Sequence, residues 1–327
     1  MKAIKFTQYG SPDVLQLQEV EQPVPKDNQV LVKVHAASVN ALDWHRMRGD
    51  PFLVRLSDGF RKPKNTSLGA DIAGRVEVVG ANVTQFQPGN EVFGVCGGGF
   101  AEYARTAEKN LALKPGNLSF EEAAAVPVAA LTALQGLRDK GQIQPGQKVL
   151  INGAGGGVGT FAVQLAKSFG AEVTAVCSTH NLNMARSIGA DHVIDYTKED
   201  FTKNGQHYDL IIAANGYHPL LHYRRALSPG GIYVVLGGSM AQLIQALLLG
   251  PLVSRMGSKK MGFLLSDSSQ TDLLVVKELL EAGKVVPVID RRYPLSETAE
   301  AIRYLEAGHA RGKVIITVES NNLGGDS

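Results

Sequence analysis

Short runs of alternating apolar and polar residues fill the first third of the chain. Residues 2–7, 16–21 and 29–37 read as strands, separated by the turn signals Gly10-Ser11-Pro12-Asp13 and Pro23-Val24-Pro25. The pattern continues over 72–79, and Pro88-Gly89-Asn90 turns the chain into 91–95. Strands this short and this dense predict a compact β-barrel-like domain. The period changes near Ser119, where 120–140, rich in alanine and leucine, reads as helix with Ser119 as N-cap and Glu122 as its capping-box partner. After Pro145-Gly146, strands at 148–152, 172–177, 192–195, 208–213 and 232–236 alternate with helices at 158–169 and 181–188. Val158, Phe161, Ala162, Leu165, Ala166 and Phe169 follow the helical period, and Gly189 stops the second helix. Near-continuously apolar strands separated by helices predict an α/β, doubly wound parallel sheet. Past residue 265 come a helix (271–282), a strand (285–288), a helix (296–306) and a last strand (313–318). This segment is expected to return to the first domain, which otherwise lacks covering helices. The expected division is 1–124 and 266–319 for the first domain, 125–265 for the second, and a disordered polar tail at 320–327.

With 327 residues, 44% of them hydrophobic, the chain can build two cores. A net charge of +2 gives no reason to expect nucleic acid as partner. Two distant cysteines, Cys96 and Cys177, argue against a disulfide framework and fit a reducing, cytoplasmic setting. The N-terminus shows no signal-peptide core. No run approaches the roughly 20 apolar residues that span a bilayer; the longest candidate, 243–253, is broken by Gln245, Gly250 and Pro251. Segment 239–260 carries Met240, Leu243, Ile244, Leu247, Leu248 and Leu249, then Arg255, Lys259 and Lys260. It reads first as core or subunit interface, with a substrate lid and a peripheral membrane contact as alternatives. The basic positions Arg55, Arg61, Lys62 and Lys64 read as solvated surface.

One turn carries chemistry. The strand Lys148-Val149-Leu150-Ile151-Asn152 runs into Gly153-Ala154-Gly155-Gly156-Gly157-Val158-Gly159 and then into a helix. Backbone N–H groups at a helix start, with no Cβ in the way, receive a dinucleotide phosphate. The match is not strict: aligned on Gly156 and Gly159, the first glycine is Ala154, and Gly153 sits one place earlier. Cofactor choice falls about 20 residues on, at Cys177-Ser178-Thr179-His180-Asn181. No acid stands there for a ribose 2′-OH, and Glu172 and Asp191 are misplaced, so NADP(H) is expected over NAD(H). Ser178 can also serve as a helix N-cap.

Five stretches occur in order: Gly69-Ala70-Asp71-Ile72-Ala73-Gly74, Pro88-Gly89-Asn90-Glu91-Val92, Gly99-Phe100-Ala101-Glu102-Tyr103, Val126-Pro127 through Leu134, and Gly153 through Gly159. Together, over essentially 1–319, they resemble the medium-chain dehydrogenase/reductase superfamily, in its zinc-free quinone oxidoreductase branch. The resemblance implies a GroES-like β-barrel catalytic domain completed by the C-terminal segment, with a Rossmann NADP-binding domain between. Zinc-dependent relatives take one ligand from a cysteine that here is Asn40, and a second from a histidine that here is Ala70. Catalytic zinc needs about three protein ligands, so no metal is expected. His218 and His222 share a helix spacing but have no evident third ligand, and His35 and His45 each stand alone.

A conjugated acceptor can delocalise the charge that hydride brings, whereas a saturated ketone yields a localised alkoxide that calls for zinc or a strong acid. The expected activity is therefore NADPH-dependent reduction of quinones or α,β-unsaturated carbonyl compounds. A zinc-free alcohol dehydrogenase and a non-catalytic NADPH-binding protein are the rivals. The catalytic candidates are Asn40, Asp43 and Thr132. Asn40 is placed near the substrate oxygen or in an Asx-type turn, Asp43 as a structural acceptor more than a base, and Thr132 near the nicotinamide. By resemblance, Gly155, Gly157, Val158, Ser178, Tyr196, Asn215, Leu236, Phe263, His309, Ala310 and Arg311 line the NADPH groove, beside Gly153, Gly156 and Gly159 of the turn itself. Tyr196 and Arg311 suit phosphate or adenosine contacts, with a solvated turn as the alternative for Arg311. The family implies a homodimer or monomer.

Overall fold

The computed structural model describes residues 1–238, 240–255 and 257–318; the expected tail at 320–327 lies outside them. Two compact units form. The first comprises Met1–Val128, Ser268–Lys277 and 289–318; the second comprises Ala129–Asp267 and Glu278–Val288.

In the first unit, the strand Gln29–Val39 organises a seven-stranded sheet. It pairs antiparallel with Asp71–Val79, Tyr103–Ala107 and Lys313–Thr317. Glu91–Val95 and Leu111–Leu113 extend one side, and Ile289–Pro294 lies parallel to Lys313–Thr317 on the other. Val30, Val32 and Val34 follow the strand period and enter the core with Ile4, Phe6, Ile72, Val76, Val314 and Ile316. Lys313–Thr317 is thus a structural strand of the first unit, 242 residues from the Asp71 it reaches.

Two helices here, Ala41–Arg48 and Phe52–Asp58, are not in the strand pattern read from sequence. The sequence Ala-Leu-Asp-Trp-His-Arg-Met-Arg has no broad apolar stripe, and only Asp43 and Met47, one helical turn apart, are buried. The helix stops at Gly49, which takes a left-handed conformation with φ 59°.

The expected helix 120–140 is three pieces. Phe120–Ala124 starts from the Ser119–Glu122 capping box, Pro127 opens Pro127–Gln135, and Gly136–Lys140 closes as a wider π-turn. The expected strand at 285–288 is absent. Val286 N–H and C=O bond instead to the Gln164 side chain at 2.8 and 2.9 Å, which ties this stretch to the second unit. The strand begins at Ile289.

The second unit is a six-stranded, all-parallel sheet. Its spatial order is His192–Asp195, Glu172–Cys177, Lys148–Asn152, Tyr208–Ala213, Leu227–Val235 and Lys260–Phe263. In chain order this is third-second-first-fourth-fifth-sixth, the doubly wound dinucleotide-binding arrangement, whose direction reverses between Lys148–Asn152 and Tyr208–Ala213. Leu150, Val176, Ile211, Tyr223 and Tyr233 fill one face. The helix Met240–Arg255 buries Gln242, Ala246 and Val253. Ile244, Leu247, Leu248 and Leu249 are exposed, so the core reading of these four does not hold.

Candidate functional site

The glycine turn sits at the sheet's reversal point. Gly153, with φ 84°, and Ala154 both donate backbone N–H groups to Val176 O, which locks the turn to the second strand. A Cβ on Gly159 would stand 2.1 Å from Gly153 O and 2.8 Å from Ala154 Cα, so strand and helix meet backbone to backbone. Helix Gly157–Ser168 starts here, its first N–H groups without intrahelical acceptors. The turn fits a diphosphate on these grounds. Beside it, Asn152 O accepts from Ala214 and Asn215 N–H, and Asn152 Nδ2 donates to Tyr223 OH at 2.8 Å. Gln242 Nε2 donates to Tyr223 and Tyr233 at 3.3 and 2.8 Å, and burial pushes the Tyr223 phenol up to about 12, so it stays a neutral clamp.

The first unit holds a buried polar cluster at the end of Gln29–Val39. Asn40 N–H donates to Asp43 Oδ2 at 2.8 Å, and Gly69 N–H to Asp43 Oδ1 at 2.9 Å. Asn40 Nδ2 donates to Ser38 O at 3.3 Å and Asp71 Oδ2 at 2.9 Å. Ser38 Oγ donates to Asp71 Oδ2 at 2.7 Å, and Val128 N–H to Asp71 Oδ1 at 2.9 Å. Lys313 Nζ closes the cluster, 2.6 Å from Asn40 Oδ1 and 3.4 Å from Asp71 Oδ2, with the two charged side chains 3% and 0% exposed. Burial lowers the Lys313 pKa, and the Asp71 charge opposes that shift. Burial raises Asp43 to about 6 against its two N–H donors.

Two family models match the chain: an alcohol dehydrogenase GroES-like domain over residues 26–134 and a zinc-binding dehydrogenase over 188–316. A 2-methylene-furan-3-one reductase of Solanum lycopersicum is 38% identical over 332 residues, covering 97% of this chain and 79% of the relative. An NADPH-dependent alkenal/one oxidoreductase, chloroplastic, of Arabidopsis thaliana is 36% identical over the same shares. The solved quinone oxidoreductase from Coxiella burnetii superposes with a TM-score of 0.84 at 32% identity, over 98% of this chain and 99% of that one. The chain belongs to the medium-chain dehydrogenase/reductase superfamily, in its quinone oxidoreductase branch.

For a medium-chain reductase, the disposition of the candidate residues is informative. Asn40 and Asp43 meet in the cluster of the first unit, whereas Thr132 belongs to the second, where its hydroxyl bonds to Ser266 at 3.0 Å. Both Nδ2 protons of Asn40 are spent inside the cluster, so in this arrangement the amide has no N–H left for a substrate oxygen. Ser178 precedes the short turn Thr179–Asn181 and accepts from Asn181 Nδ2 at 3.3 Å; its side chain makes no capping bond. Tyr196 is exposed, its N–H fixed to Cys177 O. Asn215 and Leu236 follow the strands Tyr208–Ala213 and Leu227–Val235, and Phe263 ends Lys260–Phe263. His309, Ala310 and Arg311 lie in the first unit, where Asp290 Oδ2 accepts from Arg311 N–H at 2.9 Å.

Sequence reasoning missed Lys313 as the cation of this cluster, and it did not single out Asp195, which lies beside Cys177 at the end of the second strand. A lysine opening an apolar strand, as in Lys313-Val314-Ile315-Ile316, was the available signal for the first. Among the described residues no three His, Cys, Asp or Glu gather as metal ligands. His218 packs on Phe201 and Tyr223, and His35 stacks on Phe120 at 4.3 Å. Arg55 is not simply solvated; it donates to Gly49 O at 2.9 Å and covers the Tyr9 ring.

Proposed function

We propose that this protein is a zinc-independent, NADPH-dependent oxidoreductase that reduces quinones or α,β-unsaturated carbonyl compounds. The observation that carries this reading is the closed cluster of the first unit. Where zinc relatives place cysteine and histidine ligands, this chain has Asn40 and Ala70, and the Lys313 ammonium lies 2.6 Å from Asn40 Oδ1. A resident cation is already supplied by the chain. The named relatives act on a methylene-furanone and on alkenals or alkenones, which supports a conjugated acceptor.

NADPH, when bound, supplies a hydride equivalent. The glycine turn and the first N–H groups of Gly157–Ser168 would bind its diphosphate, and Ser178 and Asn181 would offer hydroxyl and amide groups to its ribose phosphate. Asn215, Leu236 and Phe263 lie at or just past the carboxyl ends of parallel strands, which supports a part for them in the NADPH groove. In the first unit Asp43 and Asp71 fix backbone: Asp43 holds Asn40 and Gly69, and Asp71 holds the first turn of Pro127–Gln135 through Val128. The Asp43 and Asp71 carboxylates are both engaged by N–H donors, which favours substrates that spread the developing charge. We place the protein in a reducing, cytoplasmic setting on its free Cys96 and Cys177, acting on small molecules as a monomer or homodimer. No helix of the described residues is long and apolar enough to cross a membrane.

The test is a panel of NADPH oxidation assays with a quinone, an alkenone and a saturated ketone, each with and without chelator. Turnover of the first two, unaffected by chelator, is expected. Turnover of the saturated ketone alone, or activity abolished by chelation, overturns the reading.

A further inference from the structure

Cofactor choice in this fold is made where the second parallel strand ends, and the sheet register brings a carboxylate there. Asp195 ends the third strand and lies beside Cys177 in parallel register, adjacent to Ser178. Neither Glu172 nor Asp191 is the acid nearest this strand end in space. The Asp195 carboxylate is fully engaged. Oδ2 accepts from Thr179 Oγ1 at 2.5 Å, and Oδ1 accepts from Thr197 Oγ1 at 2.7 Å and Thr197 N–H at 3.0 Å. The two hydroxyls are 3.3 Å apart, and Lys198 Nζ is 3.7 Å from Oδ2. Those bonds hold the carboxyl ionised, its pKa lowered to about 2, chiefly by Thr179 and Thr197.

A carboxylate at this place with its oxygens free accepts from a ribose 2′-OH, the contact that selects NADH. We propose that Asp195 is a specificity-determining residue kept out of that role by Thr179 and Thr197. With both carboxylate oxygens occupied, the strand end offers Ser178 and Asn181 instead. The same bond anchors the turn Thr179–Asn181, and that turn reaches the glycine loop: a Cβ on Gly155 would stand 2.4 Å from Asn181 Nδ2. Asn181 Oδ1 is buried with no hydrogen-bond partner among the described residues, an acceptor left for a ligand donor or a water. The acid thus keeps its charge, while Thr179 and Thr197 hold its oxygens away from a ribose hydroxyl.

This inference rests on the NADPH reading, and the experiment separates the two. Dissociation constants for NADPH and NADH are measured by calorimetry on the full chain, for wild type, Thr179→Val, Thr179→Val/Thr197→Val and the triple variant that adds Asp195→Asn. Thr179 and Thr197 are both exposed, so their replacement leaves the core intact, and thermal melts verify this. Freeing the carboxylate oxygens to accept from the ribose 2′-OH should lower the preference for NADPH over NADH about tenfold in the double variant, and by less in the single variant. Adding Asp195→Asn should restore the preference. A preference unchanged within about twofold, or one that falls and is not restored, overturns the role of Asp195. Wild type that binds neither nucleotide overturns the NADPH reading instead.

Discussion

Removing the Lys313 charge tests the central claim about the first unit. In Lys313→Met, Asp71 stays fully buried and loses its cation, and Asn40 Oδ1 loses a donor at 2.6 Å. Stripping one partner from a buried pair costs about 3–5 kcal/mol. Asp71 keeps three donors, Ser38 Oγ, Asn40 Nδ2 and Val128 N–H, at 2.7, 2.9 and 2.9 Å. Those bonds continue to stabilise the anion, so the lower end, about 3 kcal/mol, is expected. The chain contains one tryptophan, Trp44, on the helix that Asn40 begins. Its fluorescence in a urea titration therefore follows the first unit, which avoids assigning one free energy to a two-unit chain. The double variant Asp71→Asn/Lys313→Met removes both charges and should recover more than half of the loss. A loss below about 1 kcal/mol in Lys313→Met, or strictly additive effects in the double variant, would refute a coupled buried pair.

Three further outcomes follow from the geometry. Gly159→Ala should abolish NADPH binding, because its Cβ meets backbone at 2.1 Å, while Gly155→Ala should weaken it only partly, because the obstacle is the Asn181 side chain; equal losses by calorimetry would contradict this. Asp43, raised to about 6 by burial, binds a proton in the folded chain that the unfolded chain releases near pH 4. Its contribution to stability is full below about pH 4 and is lost as pH rises through about 6. Asp43→Asn should flatten that fall in urea titrations between pH 4 and 8, and an unchanged slope would show that another group causes it. Gln164→Ala should release 285–288 and raise amide hydrogen exchange at Val286, whose N–H and C=O both depend on that side chain; unaltered protection there would deny the tie.

Much of the second unit was legible in the chain. Strands Lys148–Asn152, Glu172–Cys177, His192–Asp195 and Tyr208–Ala213 match the sequence reading to the residue; the inner ones are apolar runs cut off by turns, as strands buried on both faces are. The glycine turn was legible because close backbone approach can be met only by residues without side chains. Helix Ala41–Arg48 was not, since it buries two residues and draws its start from Asn40 and Asp43 rather than from an apolar face. The 285–288 segment has a strand's composition, but a distant glutamine satisfies its backbone. Lys313 and Asp195 were hidden for a shared reason. Their partners are fixed by sheet register, and a single sequence does not reveal which strand lies beside which.

The pairing of Lys313 with Asp71 also orders the birth of the molecule. Synthesis at about 5–20 residues per second separates the two side chains by roughly 12–48 s, since they stand 242 positions apart. During that interval the first-made sheet has neither the strand Lys313–Thr317 along Gln29–Val39 nor the cation for its buried carboxylate. The inserted parallel sheet is complete once Lys260–Phe263 has emerged, more than 40 residues sooner. The part of the chain translated first is therefore the last to finish folding, and a nascent chain halted before Lys313 would carry a finished nucleotide-binding unit beside an unfinished barrel.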